Sequence, residues 1–80
     1  MIPISQLPMG RSAILVRMEG SRSVAERLQR YGLLAGAPIS RYAVMPHNRG
    51  GVWRQGSLLI ALREQEAAHL LCRMEEESHE

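Results

Sequence analysis

The stretch Ser21-Arg22-Ser23-Val24-Ala25-Glu26-Arg27-Leu28-Gln29-Arg30-Tyr31-Gly32-Leu33-Leu34-Ala35-Gly36 carries the strongest local signals in the chain. Ser23-Val24-Ala25-Glu26 has the form of a capping box, in which the Ser hydroxyl bonds the Glu26 N–H and the Glu side chain reaches back. Val24, Leu28 and Tyr31 then recur at helical spacing, while Glu26, Arg27, Gln29 and Arg30 fall on other faces. Gly32 stands where a helix of two to three turns needs a left-handed residue to stop it. A helix this short is not stable alone. Its apolar stripe must therefore dock, with Tyr31 in the core and with Leu33 and Leu34 entering the same core just after it.

Working outward, the flanks read as strands. On the N-terminal side, Ser12–Glu19 alternates Ile14, Val16 and Met18 against Leu15 and Arg17. Ahead of it, Pro3 and Pro8 mark an irregular lead that ends at Gly10. On the C-terminal side, Ile39–Met45 is a strand stopped by Pro46, and His47-Asn48-Arg49-Gly50-Gly51 is a turn-rich link with residues suited to positive φ. Val52–Arg54 is a short strand, Gln55-Gly56 a tight turn, and Ser57–Leu62 an apolar strand expected to be central and covered on both sides. Arg63–Ala68 makes a helical turn or two, Leu70–Met74 a last strand with Leu70 and Cys72 inward, and residues 75–80 an acidic tail. The expected fold is mainly β. It is a small, highly bent β-barrel of about five strands in residues 1–74, with one short helix after the first strand and a helical turn before the last. Closure would reduce the exposed edges that a flat sheet leaves.

Composition narrows the chemistry. Eighty residues suit one small domain. All ten basic residues are Arg and all eight acidic residues are Glu. Without Lys there is neither a P-loop nor a Schiff-base enzyme, and without Asp neither an aspartic dyad nor a standard EF-hand loop. The single Cys72 excludes an internal disulfide and a multi-cysteine zinc site, which suits a reducing, cytoplasmic setting. The longest apolar run, Leu58–Leu62, has five residues, far short of the roughly 18 that a spanning helix needs, so no membrane insertion is expected. No Ser has a nucleophile-elbow context and neither His47 nor His69 has a nearby acid in sequence, so the chain is not expected to be an enzyme.

Charge is unevenly placed. Residues 1–63 carry nine Arg and two Glu, a balance of +7, whereas residues 64–80 carry one Arg and six Glu, a balance of −5. A basic body with an acidic end suits an oriented adaptor. It argues against a uniform nucleic-acid-binding barrel, the reading that a pI near 9.3 would otherwise suggest. The scattered arginines read more simply as a solvated surface in which Arg replaces Lys. Trp53, between Val52 and Arg54 and beside Tyr42 if their strands pair, has two readings: the anchor of an interface, or a core plug in a chain without Phe. Glu76 and His79, three residues apart, could together hold a weak divalent ion, Fe²⁺ or Zn²⁺, although a charged terminal tail needs no such role. Cys72 reads as a buried structural thiol.

Arg27-Leu28 followed by Tyr31-Gly32-Leu33-Leu34-Ala35-Gly36 resembles the core signature R-L-x-x-[LM]-G-[LM]-x-x-G of the FeoA family, small proteins of bacterial ferrous iron uptake. Leu7-Pro8-Met9-Gly10 resembles the family's opening L-P-x-G, and Ala61-Leu62-Arg63 with Glu66-Ala67 its A-L-R followed by E-A. The chain departs from the family at Asn48-Arg49-Gly50, where members often carry G-D-P, and at Ala35, where a proline is familiar. The resemblance implies an SH3-like barrel, no catalysis, and a partner in FeoB, the membrane GTPase that carries Fe²⁺. In this reading Arg27, Leu28, Gly32, Leu33, Leu34 and Gly36 are structural, and the partner-binding residues are expected among Arg41, Tyr42, Arg49, Trp53 and Arg54. A homodimer fits as well. The same fold closes iron-dependent repressors, so a metal-responsive module of that kind stands, with nucleic-acid binding, as the alternative function.

Overall fold

The computed structural model describes residues 1–75. Its helix α1 spans Arg22–Tyr31 and is framed by strands on both sides: β1 (Ile2–Pro3), β2 (Ser12–Met18), β3 (Pro38–Val44), β4 (Gly50–Gln55), β5 (Leu58–Arg63) and β6 (Leu70–Met74). A single-turn helix α2 (Glu64–Ala67) links β5 to β6, and 3₁₀ turns occupy Ile4–Gln6 and Pro46–Asn48. The six strands form one antiparallel sheet in the order β1-β6-β2-β3-β4-β5. There are thus six strands instead of about five. The ladder stays open between β1 and β5, so hydrogen bonding does not complete the expected closure.

The opening is bridged from the N-terminus. Ile4 and Leu7 are fully buried, and the indole Nε1–H of Trp53 on β4 donates to the Ile4 carbonyl at 3.1 Å. The lead that sequence marks as irregular is therefore a structural strap, whose apolar side chains its prolines conceal. Helix α2 packs against the Ile4–Gln6 turn, β4 and β5, and fills the remaining space. The core gathers Ala13 and Leu15 of β2, Leu28 of α1, Leu33, Ile39, Trp53, Ile60, Leu62, Ala67, Leu70 and Cys72.

Helix α1 ends as its sequence requires. Gly32 adopts φ 109°, ψ 6°, and its N–H bonds the Gln29 carbonyl while that of Leu33 bonds the Leu28 carbonyl. This pairing satisfies two end carbonyls and buries Leu28 against Leu33. The start differs from expectation. Ser21 is the N-cap, no side chain caps the first turn, and the Ser21 and Ser23 hydroxyls bond each other at 2.9 Å. A reciprocal acidic contact forms instead at α2, where the Arg63 N–H donates to Glu66 Oε1 at 2.9 Å.

Strand β5 is an edge strand and is not covered on both faces. Leu58, Ile60 and Leu62 turn inward, whereas Leu59 is 50% exposed. Period-two alternation places half of an apolar run outside whenever a sheet has one buried face. The tight turn lies at Gly56-Ser57, one residue later than its sequence suggests, and it frees Gln55 to finish β4 inside the fold. Bulges between Leu15 and Arg17 and between Arg41 and Ala43 bend β2 and β3.

Candidate partner-binding surface

The five residues expected to contact a partner do not form one surface. Trp53 is 0% exposed and belongs to the core, which decides between its two readings. Across the ladder from it, Arg41 lays its guanidinium 4.7 Å from the indole centroid. It donates from Nη1 to the Ser5 carbonyl at 2.8 Å and from Nη2 to the Gly50 carbonyl at 3.3 Å. Arg41 therefore ties the N-terminal strap to the β3–β4 end over the face of Trp53. Tyr42 at the β3 bulge, Arg49 after the Pro46–Asn48 turn, and Arg54 remain exposed. A fully buried indole and a guanidinium committed to carbonyls are not contact residues, so only Tyr42, Arg49 and Arg54 of the expected patch face solvent.

The family motif has moved chemistry to a second place. Arg27 Nη2 donates to Glu66 Oε2 at 2.8 Å and links α1 to α2 across 39 residues. The Arg63 N–H, opposed by partial burial and helped by Arg27, holds the Glu66 carboxyl below its ordinary pKa. Leu28 and Leu33 fill the core, but Leu34 and Tyr31, expected inside, are 62% and 58% exposed. After the Gly32 stop the chain leaves α1 in an extended direction, so Leu33 turns inward and Leu34 outward. Gln55 fixes the backbone of this segment: its Oε1 accepts from the Leu34 N–H at 2.7 Å, and its Nε2 donates to the Leu34 carbonyl at 2.8 Å and the Ala37 carbonyl at 3.3 Å. In sequence Gln55 was legible only as part of a turn and Glu66 only as a motif residue, with no partner assigned to either.

Two depressions flank the Arg27–Glu66 bridge. One of about 340 Å³ runs between α1 and the free edge of β5, floored by Leu28, Ile60 and Leu62 and walled by Tyr31, Met45 and Arg63. The other, about 240 Å³, lies on the far side of α1 among Met18, Val24, Leu28, His69 and Leu70. Among the described residues no cluster of three or more His, Cys or Glu is placed to hold a metal ion, and Glu76 and His79 lie outside them. Burial pushes the Cys72 thiol above its ordinary pKa, as suits a structural cysteine. Among the described residues no helix is long and apolar enough to cross a membrane.

No protein-family model matches the sequence, and no curated protein matches it. Among solved structures it is similar to iron(II) transport protein A from Clostridium thermocellum, at 30% identity and a TM-score of 0.82 over 92% of this chain. The chain spans 45% of that protein's length. It is also similar to the FeoA protein of Chlorobium tepidum, at 23% identity and a TM-score of 0.83, covering 92% of this chain and 70% of that one. Zinc-complexed FeoA from Stenotrophomonas maltophilia, a prokaryotic SH3 domain protein, matches at 25% identity and a TM-score of 0.69, covering 90% of this chain and 88% of that one. The bent six-stranded sheet is accordingly an SH3-like fold. Its helix stop, inward leucine and α1–α2 bridge are all built from residues that match the FeoA signature, and the chain is similar to FeoA proteins over about nine-tenths of its length.

Proposed function

We propose that the chain is a non-enzymatic accessory protein of ferrous iron transport that binds the cytosolic part of FeoB and modulates Fe²⁺ passage. The observation that carries this reading is the likeness, over nine-tenths of the chain, to a protein named for iron(II) transport and to a FeoA suggested to be a ferrous iron transport activating factor. The chemistry of the surface supports it. The exposed cations Arg49 and Arg54 and the apolar depression beside α1 are equipment for gripping another protein, not for making or breaking bonds.

Two measurements test the proposal. The tagged chain should co-purify with detergent-solubilised FeoB, and cells lacking the chain should take up less radiolabelled Fe²⁺ until it is restored. Absence of co-purification both with and without guanine nucleotide, together with unchanged uptake, would overturn it. Retention of the chain on DNA at low salt with no effect on uptake would favour the nucleic-acid alternative instead.

A further inference from the structure

Strand β5 ends the sheet, and the hairpin that forms it fixes which of its backbone groups are free. Gly56, at φ 62°, opens a two-residue loop with Ser57, so Gln55 and Leu58 are the bonded pair next to the turn. In the register that follows, Leu58, Ile60 and Leu62 direct their N–H and C=O groups to β4. Leu59, Ala61 and Arg63 direct theirs away from it. Both outward groups of Arg63 are engaged, its N–H by the Glu66 carboxylate and its C=O as the N-cap carbonyl of α2, whereas those of Leu59 and Ala61 have no partner among the described residues. Leu59 and Ala61 therefore offer two donors and two acceptors along an exposed edge.

That edge faces the depression between β5 and α1. Its floor of Leu28, Ile60 and Leu62 is apolar and continuous with the core. Its charges are Arg27, Arg63 and Glu66, and the carboxylate is already engaged by Arg27 and the Arg63 N–H. Arg63 makes no ion pair among the described residues. An unpaired edge, an apolar floor and a cation with no ion pair among the described residues recognise one kind of occupant.

We propose that this groove binds an extended segment of a partner protein as a seventh strand, with apolar side chains alternating onto the Leu28–Ile60–Leu62 floor and acidic ones outward beside Arg63. Main-chain bonds to Leu59 and Ala61 supply the affinity, and the alternation supplies the selectivity. This deepens the adaptor reading, since it gives the class of segment the transporter or any other partner must present.

The test uses the full chain and an acetylated, amidated peptide of sequence Glu-Val-Glu-Val-Glu-Val. Two companion peptides are N-methylated, one on the Glu residues and one on the Val residues, and a third carries Lys for Glu. Strand addition predicts amide shifts and slowed hydrogen exchange at Leu59 and Ala61. It also predicts at least a tenfold loss for one N-methylated peptide but not the other, and a similar loss for the Lys peptide. Ala61→Pro, which removes an edge N–H without touching the β4 ladder, should weaken binding tenfold or more. Tyr31→Ala, at an exposed position, serves where the proline variant fails to fold. Equal binding of all four peptides, shifts confined to the Tyr42–Arg54 face, or no binding at about 1 mM would overturn the proposal. So would edge protection that appears without peptide and grows with protein concentration, because the occupant is then a second copy. The adaptor reading is judged separately: FeoB that co-purifies equally with wild type and Ala61→Pro sinks the seventh strand and leaves the adaptor standing.

Discussion

Trp53→Ala would empty the centre of the core and leave the Ile4 carbonyl and the Arg41 guanidinium without their partner. The expected cost is about 3–5 kcal/mol, a large share of what a chain of this size has, and thermal melting should fall by at least about 12 °C. Lost iron uptake in that variant would report unfolding, whereas Arg54→Ala should melt within about 2 °C of wild type and read the surface alone. Glu66 gives a pH-dependent case. Its carboxyl is held low in the folded protein, so the stability it adds is present at neutral pH and lost as pH falls through the depressed value. Glu66→Gln should therefore cost about 1 kcal/mol at pH 7, after discounting for partial exposure, and progressively less as acid protonates Glu66. Urea unfolding of both proteins from neutral to acid pH checks the sign, and a gap that widens in acid would refute it. At this scale sequence was a partial guide. Spacing identified Leu28, Leu33 and Cys72, but proximity in sequence gathered Arg41, Trp53 and Arg54 into a patch that a strand's alternation separates.

At the scale of elements, the helix stop was legible and the helix start was not. Gly32 is required by its left-handed φ, whereas a Ser three residues before a Glu merely permits a capping box, and Ser21 is a competing start. A Cβ at Gly32 would meet nothing nearer than Leu58 at 4.0 Å, so the penalty is one of backbone strain alone. Gly32→Ala should cost about 1–2 kcal/mol and Gly32→Asn less, since Asn tolerates that conformation; equal stability by chemical denaturation would show that the motif glycine serves something else. The run Leu58–Leu62 shows the opposite limit. Five apolar residues look the same in sequence whether a strand lies at the centre of a sheet or at its edge. Only the sheet order, with no strand beyond β5 among the described residues, exposes Leu59 and Ala61.

For the molecule as a whole, the basic balance of residues 1–63 predicts that association with an acidic partner weakens as salt rises. Complex recovered at 50 mM NaCl should fall several-fold at 300 mM, where the screening length drops below about 6 Å. Recovery that is indifferent to salt would assign the contact to apolar surface only. Sequence reached the class of fold because helix, turn and strand signals agreed with a family signature spread over most of the chain. It missed the way the barrel is finished. Ile2, Pro3, Ile4 and Leu7 have no periodicity of their own, yet Ile4 and Leu7 enter the core through contacts with Arg41 and Trp53 more than 30 residues away.

The same strap gives the protein an optical reporter. Trp53 is the chain's sole tryptophan, and its indole is dry, capped by a guanidinium and tethered to Ile4. Any event that lifts residues 1–7 admits water to that ring and moves its emission to longer wavelength. Its ladder neighbour Ile60 belongs to the β5 groove, so an occupant there perturbs the same fluorophore from the other side. Strap release and groove filling can thus be followed in the native chain without adding a dye.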